Sequence, residues 1–376
     1  MKKVLFLLES LAGGGAEKVL LDIVRNIDKT LYEITVMTVV KTGIYVEEVE
    51  KNCRLLTMLE ECSNNTKLEQ IQYRIKYKYI YSADPKRVYQ KYIKEEYDVE
   101  IAFIEGFATK VIASSTNRKS KKIAWVHTDM QKNSYADSCY RSVDHQCSVY
   151  KKFNTILFVS MSVKWAFEAK FFSTNNLRIQ YNPIDNITIK RLATVPINDT
   201  DSKNIRLVTI GRLVEQKGYK RLLECCNKIK QEGYPFFLQI LGTGEQEEEL
   251  KDYIANNKLQ DYIELVGFKK NPYPYLAHAD AYVCSSYAEG FSIAATEALI
   301  VGLPIFTVDC AGMQELFGNY KCGEIVENTD DELYRMLKDV ILNKLSIDSY
   351  KEDVKRRAMD FSIEGRIKEI EELFGE

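Results

Sequence analysis

Short apolar runs of strand length alternate along this chain with stretches of helical period, and the alternation comes in two separate series. In the first, residues 4–8, 34–40, 99–104, 123–126 and 156–159 read as strands. Residues 16–27 read as a helix, with Val19, Leu20, Ile23 and Val24 on one stripe. Runs that are apolar from end to end belong to strands buried on both faces, as in a parallel sheet covered by helices on each side. Residues 186–203 interrupt the pattern. They are polar and contain Pro196 and the run Asn198-Asp199-Thr200-Asp201, which reads as a linker. A second series follows, with strands at 205–210, 236–241, 263–266, 281–284 and 305–308. Helices lie near 218–231, 245–257, 292–301 and 330–343, and a helical stretch near 362–374 closes the chain.

This pattern predicts an α/β protein of two Rossmann-like doubly wound domains facing a cleft. The expected boundaries are 1–185 for the N-terminal domain, 186–203 for the linker and 204–358 for the C-terminal domain. Residues 359–376 are expected to be a helix that packs back on the N-terminal domain. A length of 376 residues suits two domains. In such folds ligands sit at the carboxyl ends of the strands, so the cleft between the two sheets is the expected site.

Composition removes several function classes. A net charge of −2 gives no overall electrostatic attraction to nucleic acid. No stretch has the roughly 18 apolar residues of a transmembrane helix. The apolar run at 4–8 ends at Glu9 without a cleavage site of small residues, so a buried strand fits better than a signal peptide. The nine cysteines are scattered and form no Cys-x-x-Cys unit. They read as reduced thiols of a cytoplasmic protein rather than a disulfide or zinc framework.

Three predicted strand ends in the second half carry chemistry. The first strand runs into Gly211-Arg212-Leu213, and Lys217-Gly218 opens the next helix. A guanidinium and an ammonium beside a helix N-terminus make an anion site; a solvated basic turn is the alternative. The fourth strand runs into Ser285-Ser286-Tyr287-Ala288-Glu289-Gly290-Phe291-Ser292, with Glu297 on the helix that follows. Gly290 permits close backbone approach, and the amides of Phe291 and Ser292 point from a helix start toward a ligand. Glu289 and Glu297 would then meet two parts of a polyhydroxylated ligand; as a cap acid and a surface residue they would do neither. The fifth strand leads into Asp309-Cys310-Ala311-Gly312-Met313-Gln314-Glu315, after a turn at Gly302-Leu303-Pro304.

Together these pieces resemble family 4 of the retaining glycosyltransferases, whose fold of two Rossmann-like domains is called GT-B. The matching residues are Gly211-Arg212-Leu213 with Lys217-Gly218, the E-x7-E element from Glu289 to Glu297, Gly302-Leu303-Pro304, and Gly312 with Glu315. The N-terminal half matches more loosely, through its glycine loop, His127 and the Asn182-Pro183 turn. The resemblance implies that Arg212 and Lys217 bind the donor diphosphate and stabilise the leaving nucleotide. It gives Glu297 the ribose hydroxyls and Glu289 the hydroxyls of the transferred sugar. Gly290, Phe291 and Ser292 would support sugar or phosphate, Gly211 would stand beside them, and Gly267 and Phe268 would meet the nucleobase. Gly14 and Gly15 would let the chain pass close to the donor phosphate. His127 would face the reacting sugar and hydrogen-bond a hydroxyl or a carbonyl.

The resemblance further implies a nucleotide-sugar donor, a UDP-sugar foremost, and a glycan acceptor, lipid-linked in cell-surface polysaccharide synthesis. Attack would come from the front face, with a donor phosphate oxygen taking the acceptor proton and neither glutamate acting as a nucleophile. No metal or other cofactor is expected. The only Asp-x-Asp triplet, Asp199-Thr200-Asp201, falls in the predicted linker. Gly13-Gly14-Gly15-Ala16-Glu17-Lys18 is neither a dinucleotide fingerprint nor a P-loop. A sugar-nucleotide epimerase and a catalytically silent sugar-nucleotide-binding subunit are the competing assignments.

One segment stands outside these motifs. Residues 67–94 hold eight Lys/Arg, two acids and six interleaved tyrosines. A basic aromatic helix suits the anionic inner face of a membrane, which would make the protein peripheral there. The same pattern also describes a solvated helix pair whose tyrosines are partly core. A nucleic-acid contact is the weakest of the three.

Overall fold

The computed structural model describes residues 1–62, 66–132, 135–197, 204–343 and 346–375. Two compact units divide the chain: Met1–Pro183 together with Glu364–Glu376, and Ile184–Ile363.

The first unit is built on seven strands, β1 Lys2–Leu8, β2 Tyr32–Lys41, β3 Arg54–Glu60, β4 Val99–Ala102, β5 Lys121–Val126, β6 Thr155–Phe158 and β7 Leu177–Ile179. All pairs are parallel, in the order β3-β2-β1-β4-β5-β6-β7. Register follows the apolar runs: Phe6 lies beside Val36 on one side and Ile101 on the other. Residues 4 to 8 are completely buried, as helices on both faces of a parallel sheet require. The chain winds from β1 out to β3 and restarts at β4, so the winding direction reverses between β1 and β4.

The second unit has six strands, β8 Arg206–Ile210, β9 Phe237–Leu241, β10 Ile263–Gly267, β11 Ala281–Cys284, β12 Ile305–Val308 and β13 Gly323–Val326. Their order is β10-β9-β8-β11-β12-β13, again all parallel, with the reversal between β8 and β11. Leu207, Leu222, Ile240, Val283, Phe306 and Leu337 belong to one buried cluster that joins this sheet to its helices.

Strands β3, β7 and β13 were not anticipated from the sequence. Residues 186–193 also depart from expectation, because they form the helix Asn186–Ala193 rather than a linker. Asp185 caps it by accepting from the Thr188 amide at 2.9 Å, and Ile189 is buried. This helix packs within the second unit on the helices Tyr273–Ala277 and Ile293–Val301. The Asp199-Thr200-Asp201 triplet lies outside the described residues. The last helix, Ile363–Gly375, groups with the first unit. Its Phe374 packs edge-on against Phe6 and Tyr32, and the Lys2 ammonium donates to the carbonyl of Phe374 at 3.0 Å. Segment 67–94 folds as two helices, Lys67–Ser82 and Pro85–Tyr92. Among the described residues no helix is long and apolar enough to cross a membrane.

Candidate functional site

In a doubly wound sheet the loops on either side of the winding reversal splay apart and leave a crevice at the carboxyl edge. In the second unit those loops follow β8 and β11, and they carry most of the residues singled out above.

Lys217 ends a short 3-10 turn, Glu215–Lys217, and Gly218 then opens the helix Tyr219–Gln231. Gly218 adopts φ +65°, and a Cβ there would come within 2.1 Å of the Ser285 carbonyl oxygen. Only glycine lets the β8 loop lie against the β11 loop this closely. The closeness brings the Lys217 ammonium to Glu289, donating to its Oε1 at 2.6 Å. Ser286 Oγ donates to the same oxygen at 2.6 Å. Glu289 is 8% exposed, so the ion pair sits largely out of water. Burial alone would lower the Lys217 ammonium. The charge of Glu289 and the hydrogen bond to it outweigh that and hold it above the usual lysine value. Gly211 lies against this pair: a Cβ on it would meet Lys217 Cε at 3.3 Å. Arg212 is exposed, and its guanidinium makes no hydrogen bond or ion pair among the described residues. It is an uncommitted cation one residue beyond Gly211.

Gly290 and Phe291 meet the third loop. Gly312, at φ +81°, has no room for a Cβ, which would sit 2.6 Å from the Gly290 carbonyl oxygen. Ser292 caps the helix Ile293–Val301, its Oγ accepting from the Ala295 amide at 3.3 Å. Its hydroxyl oxygen is therefore engaged at the helix start. Glu297 lies on that helix, 6% exposed, and accepts from the Tyr273 hydroxyl at 2.9 Å. Gly267 ends β10 at φ +75°, and Phe268 beyond it is 47% exposed.

Several residues that hold these loops were not read from the sequence. Gly242 and Gly244 follow β9, and Cβ atoms there would strike the Gly211 and Leu213 backbone at 1.9 and 2.4 Å. A strand followed by Gly-x-Gly is a readable signal, masked here because acids, Glu245 and Glu247 to Glu249, and no basic residue follow it closely. Arg221 is buried beneath the β11 loop. Its Nε and Nη2 both donate to the Ser285 carbonyl, at 2.8 and 2.5 Å, and Nη2 also reaches Asn328 Oδ1 at 2.8 Å. Cys284, at the end of β11, has its thiol drawn down to about 7 by a hydrogen bond with Cys310, against the effect of burial.

The first unit has its own cluster at the reversal between β1 and β4. His127 follows β5, with its ring stacked on Trp125 and tilted against Phe103. One ring nitrogen is hydrogen-bonded to the Phe103 carbonyl, and burial pushes the imidazole down to about 3. It is therefore neutral at physiological pH. The carbonyl bond fixes the proton on that nitrogen and leaves Nε2, buried and without a hydrogen-bond partner, as an acceptor. Of the two roles expected for His127, accepting from a hydroxyl fits this tautomer and donating to a carbonyl does not. Glu105, which the sequence reading passed over, anchors the loop. Its Oε1 accepts from the amides of His127 and Thr128 at 2.7 and 2.8 Å, and its Oε2 from the Tyr135 hydroxyl at 3.0 Å. Burial raises its carboxyl above the usual range. Gly14 caps the helix Gly15–Asn26 in an extended conformation, and Gly15 is its exposed first residue. The left-handed conformation in that loop belongs to Gly13, at φ +104°.

Comparison with known proteins bears on both units. Residues 192–359 match the family model described as glycosyl transferases group 1. The amylovoran biosynthesis glycosyltransferase AmsK of Erwinia amylovora is 32% identical over 162 residues, which are 39% of this chain and 40% of AmsK. The N-acetylgalactosamine-N,N'-diacetylbacillosaminyl-diphospho-undecaprenol 4-alpha-N-acetylgalactosaminyltransferase of Campylobacter jejuni is 29% identical over 191 residues, 50% of this chain and 51% of that protein. The chain thus spans about half the length of these curated relatives, or less. The crystal structure of Anabaena HepE with UDP and glucose superposes over 100% of both chains, with a TM-score of 0.76 at 18% identity, which speaks for the fold. The chain therefore has the GT-B fold, and its residues 192–359 are similar to the group 1 glycosyl transferases.

Proposed function

We propose that this chain is a retaining glycosyltransferase that moves a sugar from a nucleotide-sugar, a UDP-sugar foremost, to a glycan acceptor of cell-surface polysaccharide synthesis. The observation that carries the reading is the charge arrangement at the second sheet's reversal. The Lys217–Glu289 pair is largely buried, and Arg212, on the same loop after β8, is exposed with no hydrogen bond or ion pair to its guanidinium among the described residues.

A departing nucleoside diphosphate develops negative charge that must be met by groups already in place. Lys217 is held charged by Glu289, and Arg212 offers a planar fork to phosphate oxygens. These two cations take the role that a metal ion has in other transferases. Glu297, oriented by Tyr273, accepts from ribose hydroxyls. Glu289 keeps its second oxygen for the transferred sugar. Both carboxylates are already engaged, which argues against either as a covalent nucleophile. Front-face attack by the acceptor hydroxyl follows, with a phosphate oxygen taking the proton as the nucleoside diphosphate leaves. His127 Nε2 accepts from a sugar hydroxyl, and at about 3 it is no general base at neutral pH. The relatives' names support a polysaccharide acceptor, and the Campylobacter protein's name a lipid-linked one.

The test is release of nucleoside diphosphate from a panel of UDP-, GDP- and ADP-sugars with and without acceptor glycans. Release that requires acceptor supports transfer, and donor interconversion without acceptor would mean an epimerase. Arg212→Ala and Lys217→Ala should each lower turnover by about 10²–10³, the loss typical of one preorganised donor. Near-normal turnover in either would overturn its assignment.

A further inference from the structure

The helix Lys67–Ser82 carries apolar side chains on two opposite faces, and only one of them is used. On the inner face Tyr73, Tyr77 and Tyr81 follow one another at ring separations of 6.1 and 4.7 Å, and Tyr81 rests on Phe107 at 4.6 Å. Ile80 on the same side is fully buried, and the Tyr81 hydroxyl is hydrogen-bonded to Glu9 just beyond β1. The tyrosines that make this segment conspicuous as sequence therefore serve mainly to attach the helix. The outer face is different. Leu68, Ile71 and Ile75 are 64, 54 and 64% exposed and fall in one row at helical spacing, which Tyr79 continues.

The charge around that row has one sign. Eight Lys/Arg lie between residues 67 and 94, against Glu69 and Asp84. Both acids are occupied at helix starts. Glu69 accepts from the Thr66 amide at 2.8 Å, and Asp84 accepts from the amides of Lys86 and Arg87 at 3.1 and 3.2 Å. Lys67, Arg74, Lys76, Lys78, Lys86 and Arg87 form no ion pair among the described residues. Lys91 lies over the Tyr79 ring at 4.5 Å, at the end of the row.

An aliphatic row alone would fit a second copy of the chain. The cations argue against that, because an isologous contact would set like charges face to face. An anionic bilayer supplies both missing partners, headgroup charge for the cations and an apolar layer beneath it for the row. We propose that this face of the helix Lys67–Ser82 lies on an anionic lipid membrane, with Leu68, Ile71 and Ile75 in the acyl boundary and Lys67, Arg74 and Lys78 at the headgroup phosphates. The contact does not depend on the transfer reaction and is measured without turnover.

The test is cosedimentation of the full chain with vesicles of phosphatidylcholine alone or with phosphatidylglycerol added. Binding to the anionic vesicles, weakened by salt, is expected. The pairs Ile71→Ser/Ile75→Ser and Arg74→Glu/Lys78→Glu should each lower it by about tenfold or more. Because these side chains are exposed, the thermal unfolding of both variants should match the parent. If charge reversal disturbs folding, Arg74→Gln/Lys78→Gln replaces that pair. The proposal fails if anionic lipid gives no preference, if both pairs bind as the parent does, or if the variants instead dissociate a dimer while vesicle binding persists.

Discussion

Lys217 and Glu289 could each be singled out in the sequence by local signs, a strand end, a glycine and a helix start, but their pairing across 72 residues could not. Glu105 could not be singled out, since an acid after a short apolar run looks like any surface glutamate. What gives it a role is the loop after β5, which folds back to place the amides of His127 and Thr128 on one carboxylate oxygen. The state of His127 is likewise a product of packing, because burial pushes it from 6.5 down to about 3. Its folded pKa lies below its unfolded one. Between about pH 6.5 and pH 3 the unfolded chain therefore takes up a proton that the folded chain refuses, and stability falls as pH drops through that window. His127→Gln removes this contribution, so the variant should lose less stability than the parent across the same range, as read by urea unfolding at each pH. Glu105, whose carboxyl is raised, contributes with the opposite sign, but it is present in both proteins and leaves the difference intact. Parallel pH profiles would show that His127 is not held neutral by burial.

Central strands were more legible than edge strands, of which β10 alone was read. Central strands such as β1, over residues 4 to 8, and β11 are buried on both faces and appear as unbroken apolar runs. The three unread strands lie at sheet edges: β3 mixes polar and apolar residues, β7 has three residues, and β13 contains Gly323 and Glu324. An edge strand has one neighbour and less to bury, so its sequence is less constrained. The helix Asn186–Ala193 was hidden because it is short and only Ile189 on it is buried, so it shows no long apolar stripe. How elements join is harder still to read, and Gly218 is the clearest case. It combines φ +65° with a forbidden approach to the Ser285 carbonyl, whereas Gly233, at φ +85°, has nothing within 4 Å of where a Cβ would stand. Gly233→Ala should cost only backbone strain, about 1–2 kcal/mol. Gly218→Ala adds a clash that must push the β8 and β11 loops apart, for at least roughly 3 kcal/mol. At about 2–4 °C per kcal/mol for a unit of this size, thermal unfolding separates the two. Equal shifts would mean that the two loops are not pressed together at Gly218.

At the scale of the molecule, the two compact units do not follow chain order, because the first borrows its last helix from the far end of the sequence. The debt is concentrated in Phe374. It is 1% exposed and packed against Phe6 and Tyr32, and thus ties the helix Ile363–Gly375 to β1 and β2. Removing its ring leaves a cavity beside Phe6, which is fully buried, at a cost of about 3–5 kcal/mol. That cost falls on the first unit alone. The charged groups assigned to the donor, Arg212, Lys217, Glu289 and Glu297, stand in the second. A bound ligand stabilises only what binds it, by about 2.7 kcal/mol at a hundredfold excess over Kd. Phe374→Ala should therefore lower the unfolding temperature of the first unit by several degrees or more. On the proposed donor assignment, any rise that UDP produces in the second unit's transition should stay as it is in the parent. Differential scanning calorimetry of parent and variant, with and without UDP, reads both effects in one experiment. A variant whose first unit is weakened and whose UDP-dependent rise is also lost would show that the donor residues depend on the first unit's integrity.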